Sequence, residues 1–158
     1  MTPKLVKVAP SILAIDYNNE ETLNKALADI EKAKANFVHL DVMDGKFVKN
    51  KSFDHKLVDK IRDKTNLMLD VHLMVKNPEN VISDYAKAGA DIITVHYEAC
   101  DNIEETLKLI KSSTLQVNVM EYSLPFFNWL ALMVSQSKLP VNLKNYLNNL
   151  LQFALFPK

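Results

Sequence analysis

The sequence predicts an α/β fold built from parallel strand–helix units. Segments rich in apolar and β-branched residues alternate with segments of helical period. Four such units follow one another, each of about 25 to 30 residues. Turn or capping chemistry stands at the joins. Alternating strands and helices argue for parallel βαβ units, which build both open α/β sheets and (β/α)8 barrels; periodicity does not choose between them.

The units read in order as follows. Lys4 to Ala14 carries Val6, Val8, Ile12 and Leu13 without a helical period, and reads as a short strand with Pro10 near its end. From Asn19 or Glu20 to Lys34, Leu23, Leu27 and Ile30 fall on one stripe beside Ala26 and Ala33, a helix. Phe37 to Met43 is a second strand, ended by the Asp44-Gly45 turn. His55 to Asp63 is a short helix presenting Leu57, Val58 and Ile61. Leu67 to Val75 is a third strand. Asn77-Pro78-Glu79 reads as a helix start, with a capping side chain, proline at the first helical position and an acid in the first turn. Gly89 falls where a left-handed helix cap favours glycine. Asp91 to Tyr97 is a fourth strand. Asp101 with Glu104 reads as a capping box for a helix carrying Ile103, Leu107 and Ile110. Beyond Lys111 the order is looser: Leu115 to Tyr122 alternates like a strand, Leu124 to Val134 is dense in aromatics, and Asn142 to Ala154 has a helical stripe.

The 158 residues suffice for one domain with a real core and are too few for two ordinary ones. Nineteen basic side chains balance nineteen acidic ones, so charge offers no argument for nucleic acid or an anionic membrane as partner. The longest apolar run, Leu124 to Val134, is too short for a bilayer, which needs roughly 20 residues. The single cysteine, Cys100, excludes an internal disulfide framework and suits a reducing compartment. With no signal peptide at the start, a cytoplasmic protein is expected. The two glycines, Gly45 and Gly89, leave nothing later in the chain for a glycine-rich phosphate loop.

His39 and Asp41 are two residues apart on a strand, so both point to one face, and Met43 follows them. Asp70, His72 and Met74 repeat the spacing one strand later. Two histidines and a carboxylate near strand C-termini can converge on a divalent metal such as zinc, iron, manganese or cobalt. On spacing alone, the commoner outcome for such residues is a satisfied polar side chain. Asp70 is either a partner for a ligating histidine or a plain strand-end carboxylate. His96 reads as a hydrogen-bonded core histidine with no ligand role. Asp44 reads as turn chemistry, His55 as surface, and Lys46, Lys49 and Lys51 as a solvated loop.

Four motifs go further. VAPSILAIDY (Val8 to Tyr17), HLDVMDGKFVKN (His39 to Asn50), LDVHLMVKNPE (Leu69 to Glu79) and AGADIITVHYEA (Ala88 to Ala99) stand in order within about 110 residues. Together they resemble the first half of the ribulose-phosphate 3-epimerase family. The resemblance implies a (β/α)8 barrel of the ribulose-phosphate-binding type, here incomplete with about four to six units. It implies one partial barrel over 1–158, family-like across 4–111 and divergent across 112–158. It implies a pentose phosphate substrate and one divalent metal ion (zinc, iron, manganese or cobalt). By position, His39, Asp41 and His72 match metal ligands and Asp41 matches a catalytic acid/base carboxylate. Ser11 matches a substrate-contacting serine that helps position that carboxylate; Met43 and Met74 match thioethers packed over the reacting carbons, and His72 also faces substrate. The implied reaction interconverts D-ribulose 5-phosphate and D-xylulose 5-phosphate in the pentose phosphate pathway by proton abstraction at C3. Sibling decarboxylases and aldolases use an Asp-x-Lys-x-x-Asp strand; here His39-Leu40-Asp41-Val42-Met43-Asp44 has no lysine. An allulose-phosphate epimerase shares the chemistry and stays open.

The chain departs from the family in places. Lys49 and Asp54 replace a common proline and glycine in the loop after the second strand. Ser112 to about Val134 carries no motif recognisable from the family, and Ser135 to Phe156 is faintly similar to its fifth crossover helix. The second catalytic aspartate and the phosphate loops of the family's later strands have no counterpart. This pattern predicts a gene-model error, a frameshift, a retained intron or a truncated relative. A half-barrel has open strand edges, which predicts poor solubility or association, as a homo-oligomer or with another barrel. The competing function is a catalytically inactive homologue that binds metal or pairs with a full-length barrel.

Overall fold

A computed structural model describes residues 7–113 and 115–120. The aromatic run Leu124 to Val134, the helical stripe Asn142 to Ala154 and the faint likeness over Ser135 to Phe156 lie outside the described residues.

Four parallel strands form one sheet: β1 Phe37–Met43, β2 Met68–Met74, β3 Ile92–His96 and β4 Gln116–Met120, hydrogen-bonded in the order β1-β2-β3-β4. Helices α1 Glu20–Lys32, α2 His55–Arg62, α3 Ile82–Lys87 and α4 Ile103–Ser112 alternate with them. A doubly wound sheet reverses its strand order at a switch point. Here each strand pairs with the next in sequence, the order of a (β/α) barrel wall. The described residues are a partial TIM-type barrel.

The first expected strand takes another form. The Val8 carbonyl accepts from the Asn36 and Phe37 amides at 2.9 and 3.3 Å, and the Pro10 carbonyl from His39 N–H at 2.9 Å. Ser11 and His39 then form a single parallel bridge. The segment therefore lies along β1, but Pro10 has no N–H to continue a ladder. Ile12–Ala14 winds instead into a 3-10 turn, capped by Ser11 Oγ accepting from Leu13 N–H at 3.1 Å.

The core lies between the helices and one face of the sheet. Val38, Leu40 and Val42 on β1 and Leu69, Val71 and Leu73 on β2 alternate with residues of the opposite face, and all six are buried. Ile93 and Val95 continue the layer on β3. The helices meet it with Leu23 and Leu27, Val58 and Ile61, Ile82 and Tyr85, and Ile110. Each fully buried aliphatic side chain stabilises the fold by about 1.5–3 kcal/mol, an upper estimate given a compact unfolded chain. With one face committed to this layer, β1 and β2 present His39, Asp41, Met43, Asp70, His72 and Met74 on the other.

Four helix starts refine the sequence reading. Asn19 caps α1, accepting from Thr22 N–H at 3.0 Å, and Asp54 caps α2, accepting from Lys56 N–H at 3.0 Å. Asn77 is not a side-chain cap. It sits in the left-handed region at φ 54°, and its amide donates to Glu79 Oε1 at 3.3 Å. Pro78–Asn80 makes a 3-10 turn before α3 begins at Ile82. For α4 the cap is Asn102, whose Oδ1 accepts from Glu104 and Glu105 N–H, so the Asp101 box gives way to its neighbour.

At the N-terminal ends of the strands, Arg62 binds α2 to the sheet. It donates to Asp91 Oδ2 at 3.0 Å, to the Leu67 carbonyl at 2.9 Å and to the Thr65 carbonyl. Asp91 Oδ2 also accepts from Leu69 N–H at 2.8 Å. Gly89 passes over this arginine at φ +91°, as its place after α3 predicts.

Candidate active site

Strand register brings the polar residues together. His39 is the Cα partner of Asp70, Asp41 of His72, His72 of Thr94, and Met43 of Met74. Because partners in register share a face, the two sequence patterns that are alike on β1 and β2 become one cluster.

Asp41 is its centre. Its Oδ1 lies 3.2 Å from His39 Nε2 and 3.2 Å from His72 Nδ1. Its Oδ2 accepts from Ser11 Oγ–H at 2.5 Å. The side chain is 13% exposed. His39 Nδ1 donates to Asp70 Oδ2 at 2.9 Å, and Thr94 Oγ1 donates to Asp70 Oδ1 at 3.4 Å. His72 Nε2 lies 2.7 Å from His96 Nε2, with both histidines buried. Phe47 stacks at a tilt on His96, centroids 5.0 Å apart.

The electrostatics follow from this packing. Burial works against a charge on His39, but the Asp41 and Asp70 carboxylates outweigh it and hold the imidazole up to about 10. Burial likewise works against the Asp41 carboxylate. Hydrogen bonds from His39 and His72, the His39 charge and the Ser11 hydroxyl outweigh it and hold Asp41 well below the usual carboxylate range. His96 is pushed down to about 4, by burial first and by His72 beside it. Without a metal, a cationic His39 sits on an anionic Asp41.

The donors fit a divalent ion. One ligand atom from each of His39, Asp41 and His72 lies within 4.8 Å of the others. Ligands about 2.0–2.2 Å from a tetrahedral zinc stand roughly 3.3–3.6 Å apart, a little more than the two 3.2 Å separations around Asp41 Oδ1. Imidazole and carboxylate are also the donors that zinc, iron, manganese and cobalt accept. His39, Asp41 and His72 thus form a group able to hold a metal ion.

The other expected residues lie near. Ser11 reaches Asp41 directly. Met43 and Met74, last on their strands, are half-buried partners across the β1–β2 pair. Asp44 holds its turn by accepting from Lys46 and Phe47 N–H, and also accepts from Lys76 N–H at 2.9 Å, joining the loops after β1 and β2. Lys46, Lys49 and Lys51 are exposed. His55 is half-buried rather than at the surface, edge-on to Tyr85. Sequence reading does not single out Ser52, which donates to the Asp41 carbonyl at 2.7 Å and accepts from Met43 N–H at 2.9 Å. A loop serine eleven residues past its partner leaves no periodic signal.

Two histidines and a carboxylate gathered on neighbouring strands define the class: a (β/α) barrel whose wall carries a group able to hold a metal ion. The chain belongs to the Ribulose-phosphate 3 epimerase family, which matches it over residues 7–139 and so past Lys111, where the family-like stretch read from the sequence ends. It is 44% identical over 116 residues to a ribulose-phosphate 3-epimerase of Bacillus subtilis, covering 73% of this chain and 52% of that protein. It is 38% identical over 142 residues to the same enzyme of a Synechocystis species, covering 82% and 60%. A chloroplastic ribulose-5-phosphate-3-epimerase of Arabidopsis thaliana is 40% identical over 115 residues, covering 72% and 40%. The chain spans about half the length of the curated relatives it matches. The family is one of isomerases. Among the described residues no helix is long and apolar enough to cross a membrane.

Proposed function

We propose that this chain carries the metal-holding half of a ribulose-phosphate 3-epimerase site, acting on D-ribulose 5-phosphate and D-xylulose 5-phosphate in the pentose phosphate pathway of the cytosol. The observation that supports this most is the placement of Asp41, with one oxygen toward two histidines and the other toward Ser11.

Epimerisation at C3 removes a proton next to a carbonyl and returns one on the opposite face. His39, Asp41 and His72 would hold the divalent ion, which supplies Lewis-acid charge where the substrate oxygens become negative. Asp41 Oδ2 is the base toward C3. Its burial keeps water from competing, and the Ser11 hydroxyl fixes its direction. Met43 and Met74 give the reacting carbons an apolar wall. Asp70 holds His39 so that Nε2 points to Asp41.

The test is exchange of the C3 proton. Chain supplied with zinc, cobalt or manganese is incubated in D2O with either pentose phosphate. Deuterium entering C3, with or without conversion to the other epimer, supports Asp41 as base, and Asp41→Asn abolishes it. Absence of both exchange and turnover with every one of these ions rejects the proposal.

A further inference from the structure

The His72–His96 contact has no part in the chemistry above. Two imidazole nitrogens 2.7 Å apart hold one proton between them. With two the hydrogens collide, and with none the lone pairs repel. One ring therefore donates and the other accepts. The remaining nitrogen of His72, Nδ1, lies 3.2 Å from Asp41 Oδ1: without a metal a neutral His72 donates Nδ1–H to that oxygen and the shared proton stands on His96, and an ion at Nδ1 reverses this order. A nitrogen that ligates a metal must be bare. For a neutral His72 to offer Nδ1, its proton has to stand on Nε2, and a buried Nε2–H needs an acceptor.

His96 is in place to be that acceptor. Thr94 is the register partner of His72, and His96 follows Thr94 on the same face of β3. Phe47 covers the His96 ring. The His96 carbonyl accepts from Cys100 Sγ–H at 3.2 Å, which ties down the end of the strand. Asp70 stands to His39 in the same relation, fixing one nitrogen so that the other faces Asp41.

We infer that His96 is a positioning residue of the metal centre: it accepts the Nε2 proton of His72 and so turns the bare Nδ1 of His72 toward the ion. The metal role rests on the proposed function; the shared proton does not.

Nitrogen NMR of the imidazoles in the full chain, without metal and with zinc, tests both levels. In the metal-free chain a hydrogen-bonded proton between the two Nε2 atoms is expected, lost in His96→Phe. In the zinc-loaded chain His72 carries its proton on Nε2 and zinc on Nδ1. His96→Phe then weakens zinc binding by about 10–100-fold, while His96→Gln, whose side-chain carbonyl still accepts, restores most of it. Restoration by glutamine separates positioning from mere packing, and it stands even where the phenylalanine variant does not fold. Unchanged zinc affinity in a folded His96→Phe chain, equal loss in both variants, or zinc on Nε2 of His72 overturns the inference. A wild-type chain that binds no zinc rejects the metal reading on its own, and the metal-free spectrum then decides whether the His72–His96 proton exists.

Discussion

His39 is held between two carboxylates: Nδ1 lies 2.9 Å from Asp70 Oδ2 and Nε2 lies 3.2 Å from Asp41 Oδ1. Asp70 comes from the neighbouring strand, in register with His39. The bond to Asp70 fixes the ring and adds negative charge behind it, which makes Nε2 a stronger donor toward a metal. Asp70→Asn keeps the shape and removes the charge. We predict that the His39 pKa falls from about 10 and that zinc affinity drops by about 10–100-fold. An NMR titration of His39 and a chelator competition measure the two, and an unchanged affinity would show that Asp70 only fills space.

The metal-free site also predicts a pH dependence. His39 is raised from 6.5 to about 10, so at neutral pH an ion must displace its proton. Metal affinity should therefore climb with pH, by about a decade per pH unit for one displaced proton, until His39 titrates. The metal-free chain behaves in the opposite sense on the alkaline side. The stability contributed by the raised His39 is fully present below 6.5 and is lost as pH rises through about 10. The lowered Asp41 contributes above 3.8 and loses its contribution as pH falls below that value. Thermal unfolding across pH with a chelator present should thus show these two groups favouring the window from 3.8 to 6.5. A metal affinity independent of pH would mean that His39 is already neutral.

Much of this was legible in the sequence because the signals were strong and local. FVHLDVM is β1 residue for residue, since alternation and the Asp44-Gly45 turn both bound it. Gly89 was legible as a left-handed cap because a glycine just past a helical stretch commonly takes that conformation, and it does so at φ +91°. Where two residues could do one job, sequence could not choose: Asp101 and Asn102 are both good caps, and the backbone of α4 selects Asn102. Pro10 showed where a strand weakens without showing that Ile12–Ala14 would turn. The ligand set and Ser11 were reached through family resemblance, and spacing alone gave only shared faces. The His39–Asp70 and His72–His96 pairings depend on inter-strand register, a long-range property that no local pattern encodes.

Gly89 offers a test of the fold away from the site. A Cβ built there comes within 2.6 Å of Arg62 Cδ and Cγ, and φ +91° is itself costly for any side chain. Gly89→Ala must strain the turn or push Arg62 off Asp91 and the Leu67 carbonyl. We expect a loss of about 1–3 kcal/mol in denaturant unfolding. Zinc affinity should change little, because Arg62 and Asp91 sit at the opposite end of the strands from His72 and Asp41. A stability equal to the parent would mean that the turn relaxes and Arg62 contributes nothing.

Ser11 separates the two oxygens of Asp41. Oδ1 faces the histidines; Oδ2 accepts from Ser11 at 2.5 Å. Ser11→Ala leaves His39 and His72 on Oδ1 and removes the hydroxyl that donates to Oδ2. If Oδ2 is the base, misdirection should slow C3 exchange by about 10- to 100-fold. Zinc binding should stay near the parent value, because the contacts around Oδ1 remain. The alanine also leaves Leu13 N–H without its cap, so a stability loss of about 1 kcal/mol is expected alongside. Exchange is therefore read at a temperature where both proteins are folded. A variant that lost zinc and exchange in proportion would place Ser11 in the metal site's support, and would leave Oδ2 without its assigned role as base.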